Sequence, residues 1–219
     1  MNEHTENRRR FLKRASVGAL AFPFLINCKN VTMAQKIESK LSLIKKNALT
    51  ASENWSGARN ATDGVSWKSV LSKKSEKDES LIISGTVFEP DGKSAAENIL
   101  IYFYHTDNEG FYGRGRGEPQ HGHFRGWMLT GADGKYEINS IKPASYPNYT
   151  NPAHIHMTVT GINFKEDWID SIWFEGDKFI TAERRKEISG KGGFNPIIKL
   201  EKGADDIWRG TRDIRLEAV

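Results

Sequence analysis

The chain has one cysteine, Cys28. No disulfide can form within it, and a cysteine-rich zinc site is excluded. The uncharged stretch from Ala15 to Asn27 is too short to span a bilayer, which takes about 20 residues. Charge of one sign is also scarce. The net charge is +4, and Arg8, Arg9, Arg10, Lys13 and Arg14 against Glu3 and Glu6 account for most of it. The remainder is close to neutral and offers no electrostatic reason to bind nucleic acid or an anionic membrane. There is no internal repeat. Disorder throughout is excluded by composition, since 37% of the residues are hydrophobic and the six tryptophans need burial.

The charge that is present marks the N-terminus. The basic run Arg8-Arg9-Arg10-Phe11-Leu12-Lys13 precedes the uncharged stretch, and the two together read as a targeting segment over residues 1–28. The run resembles a twin-arginine export signal, with Arg8-Arg9 as the pair. Leu25-Ile26-Asn27-Cys28 resembles a bacterial lipobox, in which Cys28 would be lipidated and would attach the protein to a membrane. Asn27 departs from the small residue usual before such a cysteine. The implied location is outside the cytoplasm, periplasmic or membrane-anchored.

Residues 29–80 are polar and lysine-rich, with weak helical periodicity from Ile37 to Leu49. They read as an arm or linker, and Trp55 and Trp67 argue that part of it is ordered. From Leu81 the pattern changes. Leu81 to Phe88, Asn98 to His105, His123 to Thr130, Lys135 to Ile141, His154 to Thr160 and Trp168 to Phe174 have strand character, and turn residues separate them. Ala132-Asp133-Gly134 is a hairpin signal. Ile180 to Lys186 fits a short helix, and Ile197 to Leu200 and Ile207 to Leu216 fit closing strands. The expected fold over residues 81–219 is mostly β: a β-sandwich with short helices and functional loops at one side.

The most informative segment is Pro152-Ala153-His154-Ile155-His156. In a strand, successive side chains point to opposite faces, so His154 and His156 share one face and can reach one metal ion. By spacing alone such a pair is more often two hydrogen-bonded or surface histidines. Context changes the balance. Gly131 to His156 reads GADGKYEINSIKPASYPNYTNPAHIH. With its Asp133-Gly134 hairpin, Tyr136, Ile141-Lys142-Pro143, Tyr146-Pro147 and histidine pair in order, it resembles the signature of the intradiol ring-cleavage dioxygenases. The resemblance covers roughly residues 80–219.

That resemblance implies a non-haem Fe(III) ion held by two tyrosinates and two histidines. Tyr146, His154 and His156 match three of those ligands, and Tyr112, at the end of Tyr104-His105-Thr106-Asp107-Asn108-Glu109-Gly110-Phe111-Tyr112, matches the fourth. His121 and His123 are alternative ligands from the same region, and Tyr149 competes with Tyr146. The residue types agree with the metal. Phenolate is an anionic oxygen donor that favours trivalent iron, and imidazole is a common iron ligand. No Asp or Glu sits within the histidine pair to make a two-histidine, one-carboxylate Fe(II) site or a metal-dependent hydrolase. The implied reaction opens the ring of a small aromatic diol, catechol-like or hydroxyquinol-like, between its hydroxylated carbons with O2. Tyr112 would leave the metal and accept a substrate proton.

The chain departs from the family in two places. Asn151 stands where many members have arginine before the histidine segment, and Ser171 stands where a glutamine is expected ahead of Phe174-Glu175-Gly176-Asp177. Both changes remove groups that would stabilise charge on the reacting ring. Arg125 is a candidate replacement cation, with a structural ion pair as its plain alternative. Arg114 and Arg116, in a glycine-rich loop, could hold a substrate carboxylate or simply be solvated. Trp127, Trp168 and Trp173 could line an aromatic pocket, though core packing accounts for any one of them. A rival reading comes from Gly85-Thr86-Val87 and Asp133-Gly134-Lys135-Tyr136, which also resemble carboxypeptidase regulatory-like modules. A lipid-anchored binding module would need no Tyr146, His154 and His156 together. Nothing in the sequence indicates an oligomeric state.

Overall fold

The computed structural model describes residues 40–49, 57–72, 75–113 and 121–218. The export segment with Cys28, as well as Trp55, Arg114 and Arg116, lies outside the described residues.

The alternating sequence from Ser80 to Phe88 builds the first long strand. In β2 (Ser80–Phe88) every second residue is buried, with Leu81, Ile83 and Val87 facing inward. It pairs antiparallel with β5 (Lys135–Ile141), Ile83 opposite Ile138. Around them a six-stranded sheet runs β1-β5-β2-β10-β9, with β11 also on β2. Here β1 is Lys68–Val70, β9 Glu201–Lys202, β10 Trp208–Thr211 and β11 Ile214–Arg215. The second sheet has five strands in the order β4-β3-β6-β7-β8. These are β4 (Arg125–Leu129), β3 (Leu100–His105), β6 (His154–Thr160), β7 (Asp167–Phe174) and β8 (Ile197–Ile198). The sheets enclose one core in which Ile101, Phe103, Ile155, Met157 and Val159 meet Leu81, Ile83 and Ile138.

Strand positions agree with the alternation in the sequence to within a few residues, and a helix occupies Ala182–Arg185, N-capped by Thr181. Two differences have physical causes. Ile207 to Leu216 is two strands, because β10 and β11 each pair parallel with a different half of β2 and the chain steps at Arg212-Asp213 between them. Asp213 accepts the Thr86 amide at that step. In addition, β1 pairs parallel with β5 and lies within the segment read as an arm.

The middle of the five-stranded sheet, β3 and most of β6, is buried on both sides. All six residues of β3 are buried, because its outer face is covered as well. Residues 40–45 are helical, and Leu41, Ile44 and Ala48 pack with Ala58 and Ala61 over Leu100, Trp127 and Leu129. Glu166 fastens this arm. The residue is 2% exposed, and its carboxylate accepts from the Leu49 and Ala58 amides and from the Thr158 hydroxyl.

Candidate metal centre

The histidine pair lies on the outer face of the five-stranded sheet. Ile155, Met157 and Val159 of β6 enter the core, so His154, His156 and Thr158 point the other way. Cross-strand register brings neighbours to that face: Tyr104 stands opposite both His156 and Arg125, and Tyr102 stands opposite Thr158 and Trp127.

Two loops bring the tyrosines over this face. One leads from β3 to Tyr112, the other from β5 to Tyr146. The Thr106 hydroxyl donates to the Ala144 carbonyl (2.7 Å), and the Ala144 amide donates to the Asp107 carbonyl (3.1 Å). Gly110, at φ +87°, lets the first loop pass so close to Ser145 and Pro147 that a side chain there would overlap them. Gly122, at φ +66°, does the same beneath the Tyr112 carbonyl. Buried His105 links the ends of the two strands from which the loops leave, with Nε2 2.8 Å from Ser140 Oγ of β5 and Nδ1 2.7 Å from the Thr106 carbonyl. Burial lowers its pKa to about 4, so it is neutral at neutral pH.

Four donor atoms converge. Tyr146 Oη is 3.1 Å from His154 Nε2 and 3.2 Å from His156 Nε2, and the two Nε2 atoms are 2.9 Å apart. The Tyr112 hydroxyl makes a short hydrogen bond to that of Tyr146. The remaining ring nitrogens are held from behind. His154 Nδ1 lies 2.6 Å from the Pro152 carbonyl, and His156 Nδ1 lies 3.1 Å from Ser171 Oγ. A carbonyl can only accept, so His154 carries its proton on Nδ1 and turns a lone pair on Nε2 toward the cluster. Ser171 can hold His156 in the same tautomer. A β-bulge, in which Asp170 and Ser171 together oppose His156, aims the serine at the ring. Asp177 anchors the entrance to β6 by accepting the Ala153 amide at 2.8 Å.

This arrangement suits a cation. With Ser171 accepting from His156 Nδ1, two lone pairs face each other at 2.9 Å, which is repulsive unless something positive lies between them. Metal–nitrogen and metal–oxygen bonds of about 2.0–2.2 Å place neighbouring donors about 3 Å apart. A proton is a poor substitute on the histidines, since burial lowers the pKa of His154 and takes His156 down to about 3. Burial raises the pKa of both Tyr112 and Tyr146, and their mutual hydrogen bond raises Tyr112 further. A bound cation would have to displace their protons. Among the described residues, no group of three or more His, Cys, Asp or Glu is placed to share an ion, and the oxygen atoms that converge on the pair are those of Tyr146 and, through it, Tyr112.

The other candidates lie at varying distances. His121 is buried with Nδ1 on the Tyr102 hydroxyl (2.7 Å), and His123 is exposed. Tyr149 is 66% exposed, its ring edge-on to Tyr146. Asn151 is half-buried in the loop before β6. The Arg125 guanidinium lies 5.8 Å from the Trp127 ring. Trp127, read as a pocket wall, packs under the arm and donates its indole N–H to the Gly57 carbonyl. The Trp168 ring stands edge-on to His156 at 5.9 Å, and Trp173 opposes His154 in the register. Sequence reading took Ser171 as a lost side chain and missed its contact with His156. It also missed the roles of Tyr102, Tyr104 and Glu166. The alternation along β3, which puts Tyr102 and Tyr104 on one face, was the available signal.

A family model described as dioxygenase matches residues 62–189. Catechol 1,2-dioxygenase 1 of Acinetobacter lwoffii is 32% identical over 156 residues, covering 57% of this chain and 48% of that protein. Hydroxyquinol 1,2-dioxygenase of Rhizobium sp. (strain MTP-10005) is 28% identical over 124 residues, covering 49% and 41%. The chain thus spans about half the length of the curated relatives it matches. The dioxygenase domain of a dioxygenase–carbohydrate-binding fusion from Streptomyces sp. SirexAA-E shares the fold. Its TM-score is 0.52 at 23% identity, covering 73% of this chain and 94% of that one.

Proposed function

The chain belongs to the dioxygenase family, and on that premise we propose that it opens a catechol-like or hydroxyquinol-like ring between its two hydroxylated carbons, using O2. The names of the relatives support this substrate class. The observation that carries the reading is the convergence of Tyr146 Oη with His154 and His156 Nε2, with Tyr112 bonded to Tyr146. Tyr112, Tyr146, His154 and His156 would hold a non-haem iron(III). When bound, that ion would act as a Lewis acid, drawing electron density from the diol and opening the ring to O2.

The protein's own groups have distinct tasks. His154 and His156 are restrained at Nδ1 and present fixed lone pairs. Tyr146 hydrogen-bonds within the cluster to both histidines, whereas Tyr112 bonds Tyr146 and neither histidine. Tyr112 is therefore the donor free to move, and its phenolate oxygen is placed to take a proton from a substrate hydroxyl. The site is partly buried, which limits its contact with water and strengthens these interactions. Arg125, facing the site from β4, is assigned the stabilisation of charge on the bound ring, in place of the arginine that Asn151 replaces. Arg114 and Arg116 are assigned to a carboxylate on the substrate. The basic run at Arg8 and the cysteine at position 28 support export and lipid attachment.

The test is the visible spectrum of the purified chain, with iron quantified on the same sample. A broad tyrosinate-to-iron absorption with near-stoichiometric iron, lost in Tyr146→Phe, is the expected result. A protein that stays colourless after iron reconstitution rejects the reading.

A further inference from the structure

The outer face of the five-stranded sheet carries a buried polar pair that the mechanism leaves unused. Tyr102 is 1% exposed and His121 is 6% exposed, and the Tyr102 hydroxyl lies 2.7 Å from His121 Nδ1. The His121 ring rests flat on Tyr104, with centroids 3.7 Å apart and planes within 7°. Tyr104 in turn stacks on His156 at 4.6 Å, directly opposite it in the β3–β6 register. The Tyr102 ring is itself stacked on Trp127 at 5.4 Å, and Trp127 is tied to the Gly57 carbonyl at 3.0 Å.

Burying an imidazole and a phenol costs desolvation that two apolar rings would avoid. What the hydrogen bond contributes is orientation. It fixes the rotation of the His121 ring about its side-chain axis, and only a ring held in that plane lies parallel on Tyr104. His156 needs such a wall. The Ser171 contact at Nδ1 and the Tyr146 and His154 contacts at Nε2 hold the ring by its two nitrogens, which leaves it free to tilt about the line between them. A ring against its face removes the tilt.

We propose that Tyr102 and His121 are positioning residues for His156. Their hydrogen bond holds the His121 ring against Tyr104, and Tyr104 sets the plane in which His156 presents Nε2 to the metal. The proposal rests on the function above only in taking that metal to be iron.

The experiment compares the wild-type chain with Tyr102→Phe, which keeps the ring that packs on Trp127, and with His121→Asn, which keeps an acceptor but removes the stacked ring. In the metal-free proteins, nitrogen NMR of the His156 imidazole is expected to give one sharp set of signals in the wild type and broadened or doubled signals in both variants. In the iron-loaded proteins, both variants are expected to shift the tyrosinate-to-iron absorption and to lose iron to a chelator about 10-fold more readily. Wild-type His156 signals, absorption and iron retention in both variants overturn the proposal. If the wild type takes up no iron, the function proposed above fails, and the His156 signals of the metal-free proteins still decide this one.

Discussion

At the residue scale, the site is built from groups that burial keeps uncharged. His105, His121 and His156 have pKa values lowered to about 4, about 4 and about 3, and His154 is lowered too, in each case first by desolvation. Unfolded histidine titrates near 6.5, so below that pH the unfolded chain binds more protons than the folded one, and stability falls as pH falls. The fully buried His105 alone contributes on the order of 3 kcal/mol, present above about pH 6.5 and lost as pH drops toward 4. Urea unfolding of the metal-free protein should therefore show a midpoint that falls steeply between about pH 6.5 and 4 and flattens above neutrality. A midpoint independent of pH over that range would contradict the burial of these rings as the source of their neutrality. The shared face of His154 and His156 was legible, because two histidines two apart on a strand must point the same way. The contact of Ser171 with His156 was not legible. Register alone does not place it: a bulge of one extra residue in β7 re-aims it.

At the element scale, the strands carry the histidines and two glycines let the loops carry the tyrosines. Gly122 sits at positive φ with its α-carbon against the Tyr112 carbonyl, so a methyl group there meets both backbone strain and direct overlap. Gly122→Ala is expected to leave the sandwich folded while moving Tyr112 off the cluster. In the iron-loaded protein this should appear as a shifted tyrosinate-to-iron absorption and weaker iron retention, with a far-ultraviolet circular dichroism spectrum like that of the wild type. An unchanged absorption would show that the loop can carry Tyr112 without that close approach. The strands were readable from period-two alternation and turn residues. The division of Ile207 to Leu216 into β10 and β11 was not, because it depends on which half of β2 each piece pairs with.

At the scale of the whole molecule, the face that carries the tyrosine–histidine cluster is the one turned away from the sandwich core, so something else must shield it. The arm does part of this, and one carboxylate fastens it. Glu166 accepts two arm amides and a hydroxyl from β6 at 2.7–3.0 Å. In Glu166→Gln, one of these donors would meet an amide N–H instead of an oxygen, leaving a buried group unsatisfied at a cost of about 2 kcal/mol. Thermal unfolding should shift down accordingly, and limited proteolysis should cut the arm before the sandwich. Equal protease resistance in variant and wild type would show that the apolar contacts of Leu41, Ile44 and Ala48 hold the arm without the carboxylate.

Local sequence determined the strands, the turn at Asp133-Gly134, the shared face of His154 and His156, and the chemistry that two tyrosines and two histidines can perform. Each of these depends on backbone periodicity or on side-chain identity, and both are properties of short segments. The tertiary structure decided on which sheet face the tyrosines join the histidine pair, that Ser171 restrains one of those histidines, that Tyr102 and His121 stand behind Tyr104, and that the arm closes the far end of the same face. These depend on register between strands distant in sequence and on what covers a face. Register and cover are settled by the packing of the whole chain.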